Sequence, residues 1–274
     1  MIKDNKQLPG SSYVQAVPTC VAMVCVGIPF LLGVLVPIAI VSTIITKTSN
    51  LFTKDSTPNT TEPLGEPKNK LPKLTSKDPR EFELIIFGAT GFTGQLVAAY
   101  LAKTYGNKLK WAIAGRSQSK LEKVRQDIGM KDLSIVIADS GDVDALNALV
   151  RRTEVVITTA GPFLLYGSEL LRQCAQNGTH YCDITGETDW VRIMIDKYDD
   201  VARESGAKIV PLCGHDCVPW DLSVLRLATE FQKDGDMLTE VHCYDEILAS
   251  ASGGTMKTVF TALANRRHYK ATLG

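Results

Sequence analysis

The chain has 274 residues, balances 30 Lys and Arg against 30 Asp and Glu, and is 45% hydrophobic. That length allows one large domain or two small ones, and a formal net charge of zero provides no electrostatic footprint for nucleic acid. Seven cysteines, an odd number with no short metal-type pairing, argue against a secreted disulfide framework and for a reduced, intracellular globular part. Cys213 and Cys217 are four apart, but without a second pair or ligand-spaced histidines they do not make a zinc site, and no metal is expected.

In chain order, residues 1–18 form a polar segment, and no charged residue occurs between Lys6 and Lys47. Residues 19–46 are predominantly apolar, longer than the roughly twenty residues that cross a bilayer and far longer than the apolar region of a cleaved signal. They are expected to be a retained membrane anchor. Pro18, Pro29 and Pro37 suit a bent hairpin as well as a single span, and lysines on both sides leave the positive-inside count tied. Residues 47–80 carry Pro58, Pro63, Pro67, Pro72 and Pro79 among threonines and lysines, the composition of a disordered linker. Asn59 and Asn177 open glycosylation triplets that arise often by chance.

From Glu81 on, short β-rich runs ("ELIIFG", "LKWAIAG", "LSIVIAD", "EVVITTAG", "THYCDI", "AKIVPLCG") alternate with segments of helical period. That alternation predicts an α/β fold with a parallel, doubly wound sheet. Beyond it, a helix is expected from Asp221 to about Phe231, "TEVHCYDEIL" alternates like a strand of a new sheet, and "GGTMKTVFTALANRR" reads as a further helix.

Gly88, Gly91 and Gly94 fall between the first strand and the first helix, in the spacing G-x-x-G-x-x-G. Glycine suits this place because the chain turns sharply, its backbone must approach a pyrophosphate, and the helix must pack on its strand. The helix N-terminus then offers free N–H groups and a positive dipole to phosphates. This is the loop of a Rossmann-type, dinucleotide-binding domain, expected over 81–235. The second strand ends in Arg116 and Ser117, with no carboxylate to receive the ribose hydroxyls of NAD. A planar guanidinium suits a phosphate dianion, so NADP(H) is the expected cofactor. Asp139, closing the third strand, reads equally as an adenine contact and as a helix cap. Ala160, Gly161 and Pro162, closing the fourth, would pass the nicotinamide ribose.

Taken in order, "FGATGFTG", "WAIAGRS", "AGPFLLYG", "NGTHYCDITGE" and "LCGHDCVPWDL" resemble the saccharopine dehydrogenase-like oxidoreductases, near the lipid-associated branch that includes mycobacterial trans-acting enoyl reductases. The resemblance covers about residues 81–265. It implies an NADP(H)-binding Rossmann domain in which Gly88, Thr90, Gly91, Phe92, Thr93, Gly94 and Arg116 contact the cofactor. Members of that family continue into a substrate domain, so residues 236–274 are expected to be the start of one, α+β in character and incomplete.

Hydride chemistry belongs to the cofactor, and the protein must orient it and supply a proton donor. None of the eight tyrosines has a lysine four residues on, which disfavours the short-chain dehydrogenase arrangement. Tyr166, Asp183 and Glu187, with His215 and Asp216 behind them, are the remaining polar candidates. Asp183 and Glu187 read more simply as caps or loop-ordering groups, and Trp190 and Trp220 as core. The reading that follows is a membrane-anchored NADP(H)-dependent oxidoreductase acting on a lipid or acyl substrate, with a homodimer compatible and the domain facing the cytosol. Lipid droplet, endoplasmic reticulum and mitochondrial membrane all stay open as its place. The rival is a non-catalytic NADP(H)-binding membrane protein, a redox sensor or scaffold.

Overall fold

In a computed structural model, the residues described are 65, 74–244, 246 and 250–264. Strands β1 (Phe82–Phe87), β2 (Trp111–Gly115), β3 (Ser134–Ile137), β4 (Thr153–Thr158), β5 (His180–Asp183) and β6 (Ile209–Val210) form one sheet of order β3-β2-β1-β4-β5-β6. Every pairing is parallel. Between the strands run α1 (Phe92–Thr104), α2 (Gln118–Asp127), α3 (Val143–Val150), α4 (Phe163–Tyr166), α5 (Ser168–Asn177) and α6 (Thr188–Ser205). Two helices follow the sheet, α7 (Val218–Lys233) and α8 (Gly253–Ala264).

The central strands are apolar throughout because both sheet faces are covered. Side chains alternate along β1, so Ile85 and Phe87 enter one core with Leu146, Val156, Leu170 and Trp190, while Ile86 enters the other with Ala98, Leu101, Ile113 and Leu121. Two helices end on glycines in the left-handed region, Gly178 after α5 (φ 69°) and Gly206 after α6 (φ 80°), a conformation that costs glycine nothing. Trp190 is core, as expected, with its Nε1 donating to Ser168 Oγ at 2.9 Å. Trp220 is not: it is half-buried on α7, a helix with no buried residue, and its ring lies nearly perpendicular to that of His215.

Several expectations change. The stretch read as linker to residue 80 is fastened to the domain from Leu74 on, within reach of polar partners that composition does not show. Ser76 N donates to Ser205 O at 3.1 Å, and the Arg80 guanidinium donates to Arg151 O, Thr75 O and Asn177 O at 3.0, 3.1 and 2.6 Å. Asn177 is buried, with its amide donating to Gln173 O at 2.9 Å, so the folded domain offers no glycan acceptor there. The strand expected in "TEVHCYDEIL" does not form over 239–244. A strand needs a neighbour to satisfy its backbone groups, and none of the described strands pairs with it. The expected anchor at 19–46 lies outside the described residues, and among the described residues no helix is long and apolar enough to cross a membrane.

Replacing Arg80 with alanine takes a donor from three carbonyls, of which Thr75 O keeps Asp78 N. It is expected to cost on the order of 1–3 kcal/mol in urea denaturation and to open the Lys77–Asp78 bond to trypsin, read by mass spectrometry.

Candidate functional site

The three loop glycines each answer a different steric demand. Gly88 turns the chain at φ 81°, and a methyl group on it would stand 3.0 Å from both the nitrogen and the Cβ of Ala160. Gly91 begins α1, with neither a capping side chain nor an acidic residue in the first turn, so the helix terminus is left to an external anion. Gly94 lets α1 lie on the sheet, since a methyl group there would sit 2.8 Å from Ala89 Cα and 2.9 Å from Thr159 Oγ1. Gly94 is therefore buried under the loop, while Gly88, Thr90, Gly91, Phe92 and Thr93 line the cleft above it.

That cleft, about 550 Å³, runs along the carboxyl ends of the strands across the point where the strand order reverses between β1 and β4. Such a crevice is where open parallel sheets hold their ligands. On the β2–β3 side it is lined by Arg116 and Asp139. Arg116 is exposed, and among the described residues its guanidinium has no hydrogen bond or ion pair. Asp139 is not the cap of α3. Asp142 is, accepting from Ala145 N at 3.0 Å, whereas Asp139 accepts from Gly141 N at 2.9 Å and closes the turn. Ser117 leads into α2 outside the cleft lining.

On the β4–β5 side the lining comprises Ala160, Gly161, Tyr166 and Glu187, with Asp216 nearby, while Pro162 stands behind as the residue before α4. The carboxylates are engaged with backbone. Glu187 accepts from Phe163 N at 2.7 Å and Leu164 N at 2.8 Å, fixing the start of α4, and burial pushes its carboxyl up against the pull of those bonds. Asp183 is outside the lining and buried. It accepts from Tyr181 Oη at 2.6 Å, Thr185 N at 3.0 Å and Leu212 N at 3.1 Å, with its carboxyl again raised by burial. Leu212 has φ 62°, an uncommon conformation for a branched side chain, and the bond to Asp183 helps hold it there. His215 is exposed and outside the lining.

The far wall went unread in the sequence. Ser252, Gly254, Thr255 and Lys257 bring α8 to the cleft, and Lys257 Nζ donates to Tyr166 Oη at 2.8 Å. Those two residues are 91 apart, so no local spacing could announce the contact.

Residues 84–210 match the model of the saccharopine dehydrogenase NADP binding domain. The chain is 40% identical over 190 residues to a putative trans-acting enoyl reductase of Mycobacterium tuberculosis, a match covering 68% of this chain and 45% of that protein. It is 38% identical over 193 residues to the trans-acting enoyl reductase of Mycobacterium ulcerans, covering 69% and 46%. The chain thus spans about half the length of these curated relatives. Among solved structures, apo saccharopine dehydrogenase (L-Glu forming) of Saccharomyces cerevisiae is 16% identical, with a TM-score of 0.47 over 56% of this chain and 32% of that one.

The NADP-binding domain fits its cofactor on its own residues: a glycine turn that any side chain would fill, an uncapped helix terminus for the pyrophosphate, and an arginine without a partner among the described residues for the extra phosphate. Bound there, NADPH would supply a hydride. Two substitutions weigh the shared constraint against pure scaffold. Gly88→Val should weaken NADPH binding by about tenfold or more in fluorescence titration and also lower the urea midpoint, because the same backbone turn packs on Ala160. Asp183→Ala strands three donors and should cost on the order of 3 kcal/mol in urea denaturation.

Proposed function

We propose that the chain is a membrane-anchored NADP(H)-dependent oxidoreductase acting on a lipid or acyl substrate. The observation that carries the redox part is a single cleft joining the glycine loop and Arg116 to Tyr166 and Lys257, so that a cofactor site and polar side chains suited to a carbonyl share one volume. The acyl class is supported by the enoyl reductase name of the curated relatives. The anchor is supported by the uncharged apolar run at 19–46, which would hold the domain where lipid-like substrates dissolve. Free thiols and the need for NADPH support a cytosolic face.

One observation favours a second reading, a non-catalytic NADP(H)-binding membrane protein: Asp183 and Glu187, two of the three carboxylates considered for proton transfer, are occupied with backbone N–H groups or a buried phenol.

Two measurements test the proposal. In titrations followed by energy transfer from tryptophan, NADPH should bind more tightly than NADH. Arg116→Ala should lower NADPH affinity by about tenfold while leaving NADH binding unchanged. Equal loss for both nucleotides would remove Arg116 from phosphate recognition. In vesicle flotation the full chain should travel with the lipid, and deletion of residues 19–46 should abolish that; a full chain left in the soluble fraction refutes the anchor.

A further inference from the structure

We infer that Tyr166 and Lys257 together form a two-donor site for an oxygen of the substrate, the carbonyl oxygen of an acyl compound or a carboxylate, in the NADP(H) cleft. Tyr166 closes α4, the short helix that begins directly after Gly161 and Pro162 at the carboxyl end of β4. Its start is fixed by the two bonds to Glu187, which makes the helix a rigid mount for the phenol. Lys257 comes from α8 and reaches the same oxygen, with Nζ 2.8 Å from Tyr166 Oη and 4.9 Å from the ring centroid.

Hydrogen-bond bookkeeping supplies the argument. An ammonium carries N–H donors and no acceptor, so in this contact the phenol oxygen must accept, and its own proton is left for another group. Among the described residues nothing accepts that proton, and no carboxylate pairs with Lys257. Both side chains line the cleft on the β4 side of the switch point, away from Arg116 and Asp139. A cation and a hydroxyl converging without an acceptor match an oxygen that carries or develops negative charge. A contact that merely tacked α8 to the domain would need neither donor free. Arg116, across the switch point, is the one arginine among the described lining residues, so they form no multi-arginine clamp for several carboxylates, which favours a ligand with a single carbonyl or carboxylate end.

This rests on the cofactor reading above, and the test separates the two. The full chain, loaded with NADP+, is titrated by calorimetry with crotonate, and in parallel with S-crotonyl-N-acetylcysteamine to distinguish a free acid from a thioester. Saturable binding of either is expected, weakened by about tenfold or more in Tyr166→Phe and in Lys257→Met and largely restored in Lys257→Arg. Lys233→Met, which removes an equal charge from a lysine paired with Glu230 on α7, should bind as wild type. NADPH affinity measured separately should stay within about threefold in every variant, because the pair holds the substrate's oxygen and not the nucleotide. NADP+-loaded protein that binds neither probe, or both variants binding as wild type, overturns the inference while leaving the cofactor reading intact. Wild-type protein that binds no NADPH overturns both.

Discussion

The close approach of backbone at the head of the sheet is the constraint on which the rest depends. Gly88 runs against Ala160 and Gly94 against Ala89 and Thr159, so that β1, β4 and the start of α1 meet closely, with the Thr159 hydroxyl donating to Gly88 O at 3.2 Å. This contact brings an uncapped helix terminus over the carboxyl ends of the strands, where it faces an open crevice. A side chain at either glycine would lift the helix and close the cradle by the same movement. Fold and cofactor site therefore share one steric requirement.

Around that point the domain uses buried carboxylates as fasteners. Glu187 holds the first turn of α4, and Asp183 gathers Tyr181, Thr185 and the strained Leu212 behind the cleft. Along α5 the Glu169–Arg172 ion pair is nearly dry, and Gln173 and Asn147 extend it by hydrogen bonds. A buried pair of this kind contributes to a unique arrangement more securely than to net stability, because desolvation offsets much of its attraction. It sits beside Asn177, whose carbonyl receives Arg80, so the segment entering the domain is registered by the same network.

The cleft has two ends of different chemistry. The β2–β3 side offers an exposed cation with no partner among the described residues, suited to phosphate. The β4–β5 side offers a phenol and an ammonium already in contact, suited to a single oxygen. Placing the two on either side of the topological switch lets one bound nucleotide span from the first to the second without any change in the sheet.

The sequence by itself determined the parallel sheet, the glycine loop and the arginine at the tip of β2, because each is a local requirement: a run of apolar residues buried on both faces, a turn only glycine can make, a side chain at the end of a strand. It also separated Trp190, on an amphipathic helix face, from the polar surface. Tertiary structure alone decided matters that depend on partners distant in the chain. Leu74 onward is docked because Arg80 finds carbonyls up to 97 residues away, which no composition of prolines and lysines reveals. Asp183 and Glu187 order loops, as the simpler reading of the sequence expects, but which donors their lone pairs meet, on other loops, only the fold decides. The segment at 239–244 stayed without strand pairing despite its alternation, since alternation gives a strand its faces but not its neighbour. Tyr166 lacked a lysine at the local spacing and gained Lys257 across 91 residues, for a hydrogen bond is fixed by where the fold brings two atoms and not by how far apart they lie along the chain.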